Sequence, residues 1–167
     1  MGYKEHKHKA PKSVSCAILT ISDSRTEQDD GSGKLARQKL SEASHRITQY
    51  CILKNDKDSI KEKVSALLRE DEPQVIITIG GTGVSRNDTT VEAINPILDK
   101  KLDGFGELFR SLTYQEIGTG SIMSRAIAGV ARGKVIICLP GSPDALNLAM
   151  DKIILHELGH LVMEATK

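Results

Sequence analysis

Three stretches of the chain are apolar almost from end to end: VSCAILTIS over residues 14–22, VIITI over Val75–Ile79 and VIICL over residues 135–139. A strand with one face in water alternates apolar and polar side chains, whereas one that is apolar throughout needs cover on both faces. Helical spacing fills the segments between. Leu35, Ala36, Leu40 and Ala43 share a helix face within residues 34–43, and Ile60, Val64, Leu67 and Leu68 fall at i, i+4, i+7 and i+8 behind Asp58, which is expected to cap that helix. A strand is expected over Arg46–Leu53 between the two, and Pro73 closes the connection to Val75. Thr89 and Glu92 have capping-box spacing for a further helix that ends at Asn95-Pro96. Helices are also expected over residues 106–112 and 124–131, and Ser142 followed by Pro143 marks the start of a last helical stretch running to Ala165.

Strands of this kind alternating with amphipathic helices predict an α/β fold, its sheet parallel or mostly parallel and covered on both faces. At 167 residues the chain has the size of one domain with its own core. The expected organisation is a single domain over residues 14–167 behind a flexible basic arm, since residues 1–13 carry four Lys and two His among few apolar groups. A net charge of +1 lacks the basic excess of a nucleic-acid binder, and with no Trp, 2 Phe and 3 Tyr base stacking is an unpromising binding device. No apolar run approaches the length that spans a bilayer and no charged-then-apolar leader opens the chain, so neither membrane insertion nor export is expected. Cys16, Cys51 and Cys138, an odd trio without C-x-x-C spacing, read as buried reduced thiols of a cytoplasmic protein.

HELGH at residues 156–160 matches the H-E-x-x-H pattern in which two imidazoles one helical turn apart chelate zinc. Such a site needs a third protein ligand. Only seven residues follow His160, and Glu164, the one acidic candidate among them, lies about 12 Å along the helix axis from His156 at roughly 1.5 Å per residue. The helical stripe Ile154, Leu158, Leu161 and Ala165 leaves His156, Glu157, His160 and Glu164 on the flank or outer face, and no structural zinc is expected at His156 and His160.

Ligands of open α/β sheets bind beyond the carboxyl ends of the strands, where this chain places Ser22-Asp23-Ser24-Arg25, Gly80-Gly81-Thr82-Gly83 and Pro140-Gly141-Ser142-Pro143. Gly80, Gly81 and Gly83 stand between a buried strand and a helix start, where unhindered N–H groups can meet an anion, although no Lys follows as in a P-loop and the pattern also describes a plain tight turn. Asp88 either caps the next helix or holds a cation such as Mg²⁺. Thr20, Ser22 and Ser24 offer hydroxyls, and Arg25 offers a bidentate anion donor unless Asp23 pairs with it locally. Asp56 can start a helix or, with Asp23 and Asp88, complete an acidic set for metal and nucleotide.

Taken in order, TISDSR, DGSG, Asn55-Asp56, GGTG with NDTTVEA, DGFGELFR, EIGTGSIMSRAIAG and LPGSPDA resemble the MoaB/MogA family of molybdenum cofactor biosynthesis proteins from Val14 to Lys167, nearest its MoaB branch. The resemblance implies a three-layer α/β/α sandwich that binds molybdopterin and adenylylates it with Mg²⁺ and ATP, releasing pyrophosphate. It also implies a homotrimer or homohexamer, with other molybdenum cofactor enzymes as further partners. By the same resemblance Asp56 and Asp88 are the catalytic and Mg²⁺-binding carboxylates. Thr20 and Ser22 to Arg25 form the first ligand loop, Gly80 to Gly83 the phosphate loop and Pro140 to Pro143 the last loop, with Thr90, Glu107, Ser124 and Arg125 as further binding residues. Val91 departs from the Pro that relatives often carry there, which loosens the helix start only. A molybdopterin carrier without turnover is the alternative, and a zinc peptidase a distant third.

Overall fold

A computed structural model describes residues 7–167. Six strands form one sheet: β1 (Ser15–Ile21), β2 (Arg46–Leu53), β3 (Val75–Ile79), β4 (Lys100–Lys101), β5 (Ile127–Ala131) and β6 (Lys134–Leu139). Their order is β2-β1-β3-β6-β5-β4. The first four are mutually parallel, and β5 runs antiparallel to both β6 and β4. Helices α1 (Gly31–Glu42), α2 (Lys57–Leu67), α3 (Thr90–Ile94), α4 (Asp103–Ile117), α5 (Pro143–Ala149) and α6 (Leu155–Ala165) cover it.

The fully apolar strands do what their composition demands. In β1, Cys16 and Ile18 join Leu40, Phe109, Leu146 and Leu158 in the core beneath α1, α4, α5 and α6, while Ala17, Leu19 and Ile21 join Ile60, Val64 and Ile94 beneath α2 and α3. The alternation of side chains along a strand sends successive residues into opposite cores, and both cores are apolar. Because β1 has β2 on one side and β3 on the other, the chain changes direction across the sheet between β1 and β3. That is a topological switch point, which opens a crevice beyond the strand ends.

Four local readings change. Residues 127–131 form strand β5 rather than helix. Arg132 and Gly133, at φ 50° and 73°, make a two-residue turn of the kind that matches sheet twist, so Ala131 pairs with Lys134 and the hairpin closes. The helix at Lys57 starts behind Asp56, whose side chain makes no capping bond, and Asp58 lies in its first turn. Thr89 occupies the N-cap position of α3 without a capping bond, and Glu92 turns to Arg125, so no capping box forms. Helix α4 outgrows residues 106–112 at both ends. By contrast Ser142 caps α5 as its sequence suggests, accepting from the Ala145 N–H at 3.3 Å, and a π-helical turn over Met150–Ile154 carries the chain on into α6.

Of the basic N-terminal segment, residues 1–6 lie outside the described residues. Lys7 donates to Glu157 at 2.5 Å, and the Pro11 carbonyl packs where a side chain at position 159 would stand. This gives Gly159 of HELGH a packing reason of its own.

Lys134, 9% exposed, sends its ammonium across the end of β6 to the carbonyls of Leu67, at 3.0 Å, and Glu70. It thereby satisfies acceptors left open where α2 stops. Burial lowers its pKa, and the nearby Glu70, Asp71 and Glu72 charges resist that shift. Lys134→Met keeps the apolar stem and leaves the carbonyls unmet. The expected loss is about 1.5–3 kcal/mol in urea denaturation, the usual scale for hydrogen bonds to a charged group.

Candidate functional site

A cleft of ≈ 670 Å³ lies beyond the carboxyl ends of β1, β3 and β6. It gathers residues from all three loops: Thr20, Ser22 and Arg25 from the first, Gly80 to Gly83 with Asp88 from the second, and Pro140 to Pro143 from the third, together with Ser124. Phe109, Thr113 and Ile117 of α4 supply an apolar wall. Asp23, Ser24, Asp56, Thr90 and Arg125 do not line the cleft, yet Ser24, Thr90 and Arg125 bond residues that do.

The Gly-rich loop is held from behind. Gly80, at φ 106°, passes so close to the Ile21 carbonyl that no side chain fits, and Gly81 sits at φ 67°. Thr90, fully buried, donates its hydroxyl to the Gly80 carbonyl at 2.8 Å and its N–H to the Gly81 carbonyl at 3.0 Å. Arg125 donates Nε to the Gly83 carbonyl at 2.9 Å while its guanidinium pairs with Glu92, the contact that chiefly raises its pKa. With three carbonyls engaged, the N–H groups of Gly81, Thr82 and Gly83 have no hydrogen-bond partner among the described residues. Successive backbone donors left unpaired at such a turn can serve as an anion-binding nest. Asp88 borders it, accepting the Ser85 N–H at 2.9 Å through Oδ2.

In the first loop the Ser22 hydroxyl accepts the N–H groups of Ser24 and Arg25, at 3.3 and 3.2 Å, which curls the chain and turns Arg25 toward the Asp29 carbonyl. Asp23 does not pair with Arg25. It accepts the Asn55 N–H at 2.9 Å, bringing the start of α2, and with it Asp56, toward the Gly81 side of the cleft.

Glu107 is in the wrong place for a cleft residue. It is exposed and borders a separate groove of ≈ 220 Å³ with Lys101, Asp103 and Arg110. At about 100° per residue, a side chain two positions before Phe109 points nearly to the opposite side of α4. Asp30, in contrast, was given no site role by sequence and is central. Fully buried on the cleft floor, its carboxylate accepts Thr20 Oγ1 at 2.6 Å, Tyr50 Oη at 2.7 Å and the Gly33 N–H at 2.9 Å. Burial alone would raise its pKa, but these donors outweigh it and hold the carboxyl below its ordinary value. Burial first, and the bond to Asp30 second, push the Tyr50 phenol the other way. The DGSG string was the signal that could have found Asp30, as an acidic N-cap beside a strand end.

A Mg²⁺ ion needs oxygen ligands and commonly takes one or two carboxylates plus substrate phosphates. The Asp56 carboxylate and the Oδ1 atom of Asp88 have no hydrogen-bond partner among the described residues, and the buried Oδ1 of Asn55 is also without one. These open oxygens suit a hydrated divalent cation. No group of three or more His, Cys, Asp and Glu is arranged to hold a metal among the described residues, so substrate oxygens would have to complete the shell. In HELGH, His160 faces Glu157 at 3.2 Å and Glu164 at 3.8 Å along one helix flank. No helix among the described residues is long and apolar enough to cross a membrane.

Residues 17–160 match the family described as a probable molybdopterin binding domain. Molybdenum cofactor biosynthesis protein B of Bacillus cereus is 48% identical over 165 residues, covering 98% of both chains. That of Bacillus subtilis is 45% identical over 168 residues, covering 100% of this chain and 99% of its own. Among solved structures, a molybdenum cofactor biosynthesis protein B superposes with a TM-score of 0.90 at 49% identity, over 94% of this chain and 98% of that one. The tungsten cofactor synthesizing protein MoaB of Pyrococcus furiosus does so with a TM-score of 0.86 at 35% identity, over 95% and 100%.

Proposed function

This chain belongs to the molybdenum cofactor biosynthesis family of probable molybdopterin binding domains, and on that premise we propose that it adenylylates molybdopterin with Mg-ATP. The observation that carries this reading is the run of unpaired N–H groups at Gly81, Thr82 and Gly83 beside the open carboxylate of Asp88. In the reaction an oxygen of the pterin's terminal phosphate forms a bond to the α-phosphorus of ATP. The bond from that phosphorus to the bridging oxygen breaks, and pyrophosphate leaves with the electron pair. The attacking oxygen is already anionic, so the chain needs no strong base; it needs to clamp phosphate charge and align the attack. Gly81 to Gly83 receive phosphate oxygens on their N–H groups. Arg25 adds a cation on the facing loop, and Thr90 and Arg125 keep the nest shaped from behind. Asp88 and Asp56 hold Mg²⁺, which when bound neutralises the polyphosphate. Phe109, Thr113 and Ile117 give the heterocycles an apolar wall that excludes water.

Exposed Leu108, Tyr114 and Ile122 support assembly into a homotrimer or homohexamer. A second reading, carriage of molybdopterin without turnover, draws on the position of Asp23 and Asp56 outside the cleft lining. Incubation with molybdopterin, Mg²⁺ and ATP separates the two. Equal amounts of AMP-modified pterin and pyrophosphate are expected; tight pterin binding with ATP untouched would establish the carrier, and neither result would defeat both.

A further inference from the structure

The loops that shape the cleft leave different strands and need a common reference. Residues 140–143 receive a hydrogen bond from only one other element among the described residues: the Ser32 hydroxyl donates to the Gly141 carbonyl at 2.8 Å. Pro140 and Pro143 have no N–H to offer, and Ser142 is occupied in capping its own helix. Gly141 in turn packs against Gly80, with a side chain at 141 falling 3.4 Å from the Gly80 Cα, so the height of the last loop sets the width of the cleft against the Gly-rich loop.

Ser32 is 1% exposed and stands in the first turn of α1, two residues beyond Asp30. Asp30 is a buried carboxylate with no ion-pair partner among the described residues. Removing such a charge from water is expensive, and a Ser or Asn would cap a helix at less cost. What the carboxylate adds is strength: three charge-assisted bonds reach β1 through Thr20, β2 through Tyr50 and α1 through Gly33. Arg37, 4.0 Å above the Tyr50 ring, stiffens the β2 partner further.

We propose that Asp30 and Ser32 are positioning residues: Asp30 fixes the first turn of α1 to β1 and β2, and Ser32, from that base, sets the spacing between the 140–143 loop and the Gly80–Gly83 nest for a polyphosphate chain. Both residues border the cleft, but at 0% and 1% exposure they offer a ligand almost no surface, so their effect passes through the loops. The polyphosphate part rests on the reading of the cleft given above.

The test compares the wild-type chain with Ser32→Ala, which removes one oxygen, and Asp30→Asn, which keeps the shape and removes the charge. Mg-ATP affinity is read by calorimetry without molybdopterin, and KM and kcat by pyrophosphate release. Both variants are expected to weaken Mg-ATP binding and raise the KM for ATP about ten- to a hundredfold, the scale on which small misplacements act, with kcat of Ser32→Ala within about threefold of wild type. Unchanged affinity and KM in Ser32→Ala would overturn the inference, as would an equal fall in kcat with KM constant. If wild type binds Mg-ATP and forms no adenylylated pterin, the adenylylation reading fails while the affinity comparison still decides this one. If wild type does not bind Mg-ATP, amide hydrogen exchange decides it: faster exchange at Gly141, Ser142 and Gly81–Gly83 in Ser32→Ala supports the tie, and equal rates overturn it.

Discussion

Asp88→Asn is expected to slow formation of adenylylated molybdopterin by about 10²–10³, since losing a metal-holding charge removes several kcal/mol of transition-state stabilisation and each 1.36 kcal/mol is a factor of ten. The substitution isolates charge from shape. The amide oxygen of Asn can still accept the Ser85 N–H that Oδ2 of Asp88 accepts at 2.9 Å, so the loop keeps its turn. What disappears is the anionic Oδ1, which has no partner among the described residues and is open to a cation. Asp88→Ala frees the Ser85 N–H as well and is expected to fall at least as far, with a lower melting temperature. Pyrophosphate release across a Mg²⁺ titration is the measurement. If Asp88→Asn turns over like wild type at every Mg²⁺ concentration, the carboxylate does not hold the ion and the adenylylation mechanism loses its metal site.

The sheet and the cleft differ in how far sequence reaches them. Strands β1, β3 and β6 were legible because an all-apolar run has one structural solution, cover on both faces, and the loops at their ends then had to share one edge. Thr20, Ser22, Arg25, the Gly80–Gly83 loop and Pro140–Pro143 do meet there. Strand β5 was not legible, because Ile127-Ala128-Gly129-Val130-Ala131 is short, small and without a polar alternation, and the turn that decides it lies in the φ of Arg132 and Gly133. Asp30 and Ser32 escaped for a different reason. Periodicity reports which face of an element is covered, whereas the Ser32 to Gly141 bond joins residues 109 apart in sequence, and Asp30 acquires its partners only once β1, β2 and α1 are packed. Glu107 shows the converse: its motif membership suggests a ligand residue, whereas helix phase turns it outward onto a separate groove.

The Gly-rich turn is where fold and proposed chemistry depend on the same atom, the absent Cβ of Gly80. Its φ of 106° lies in a region that L side chains avoid, and a Cβ there would collide with the backbone carbonyl of Ile21, at the end of β1. The chain cannot step aside cheaply, because the Gly80 N–H is bonded to the Leu139 carbonyl at 2.8 Å and its own carbonyl to Thr90 at 2.8 Å. Gly80→Ala is therefore expected to destabilise the protein by about 2–6 kcal/mol, combining backbone strain of ~1–3 kcal/mol with overpacking of ~1–3 kcal/mol. Against a typical total of about 5–15 kcal/mol that is a large fraction, readable as a shift of the urea midpoint. Gly104→Ala serves as the control. Position 104 lies in the first turn of α4 with open space around it, and Ala there is expected to be neutral or to stabilise by up to ~1 kcal/mol. Should the two variants unfold at the same urea concentration, β1 and the Gly-rich turn do not cross as closely as described. Where Gly80→Ala remains folded, the strain must be relieved by rotating the peptides of the turn, which redirects the unpaired N–H groups of Gly81 to Gly83, so weaker Mg-ATP binding is expected to accompany the lost stability.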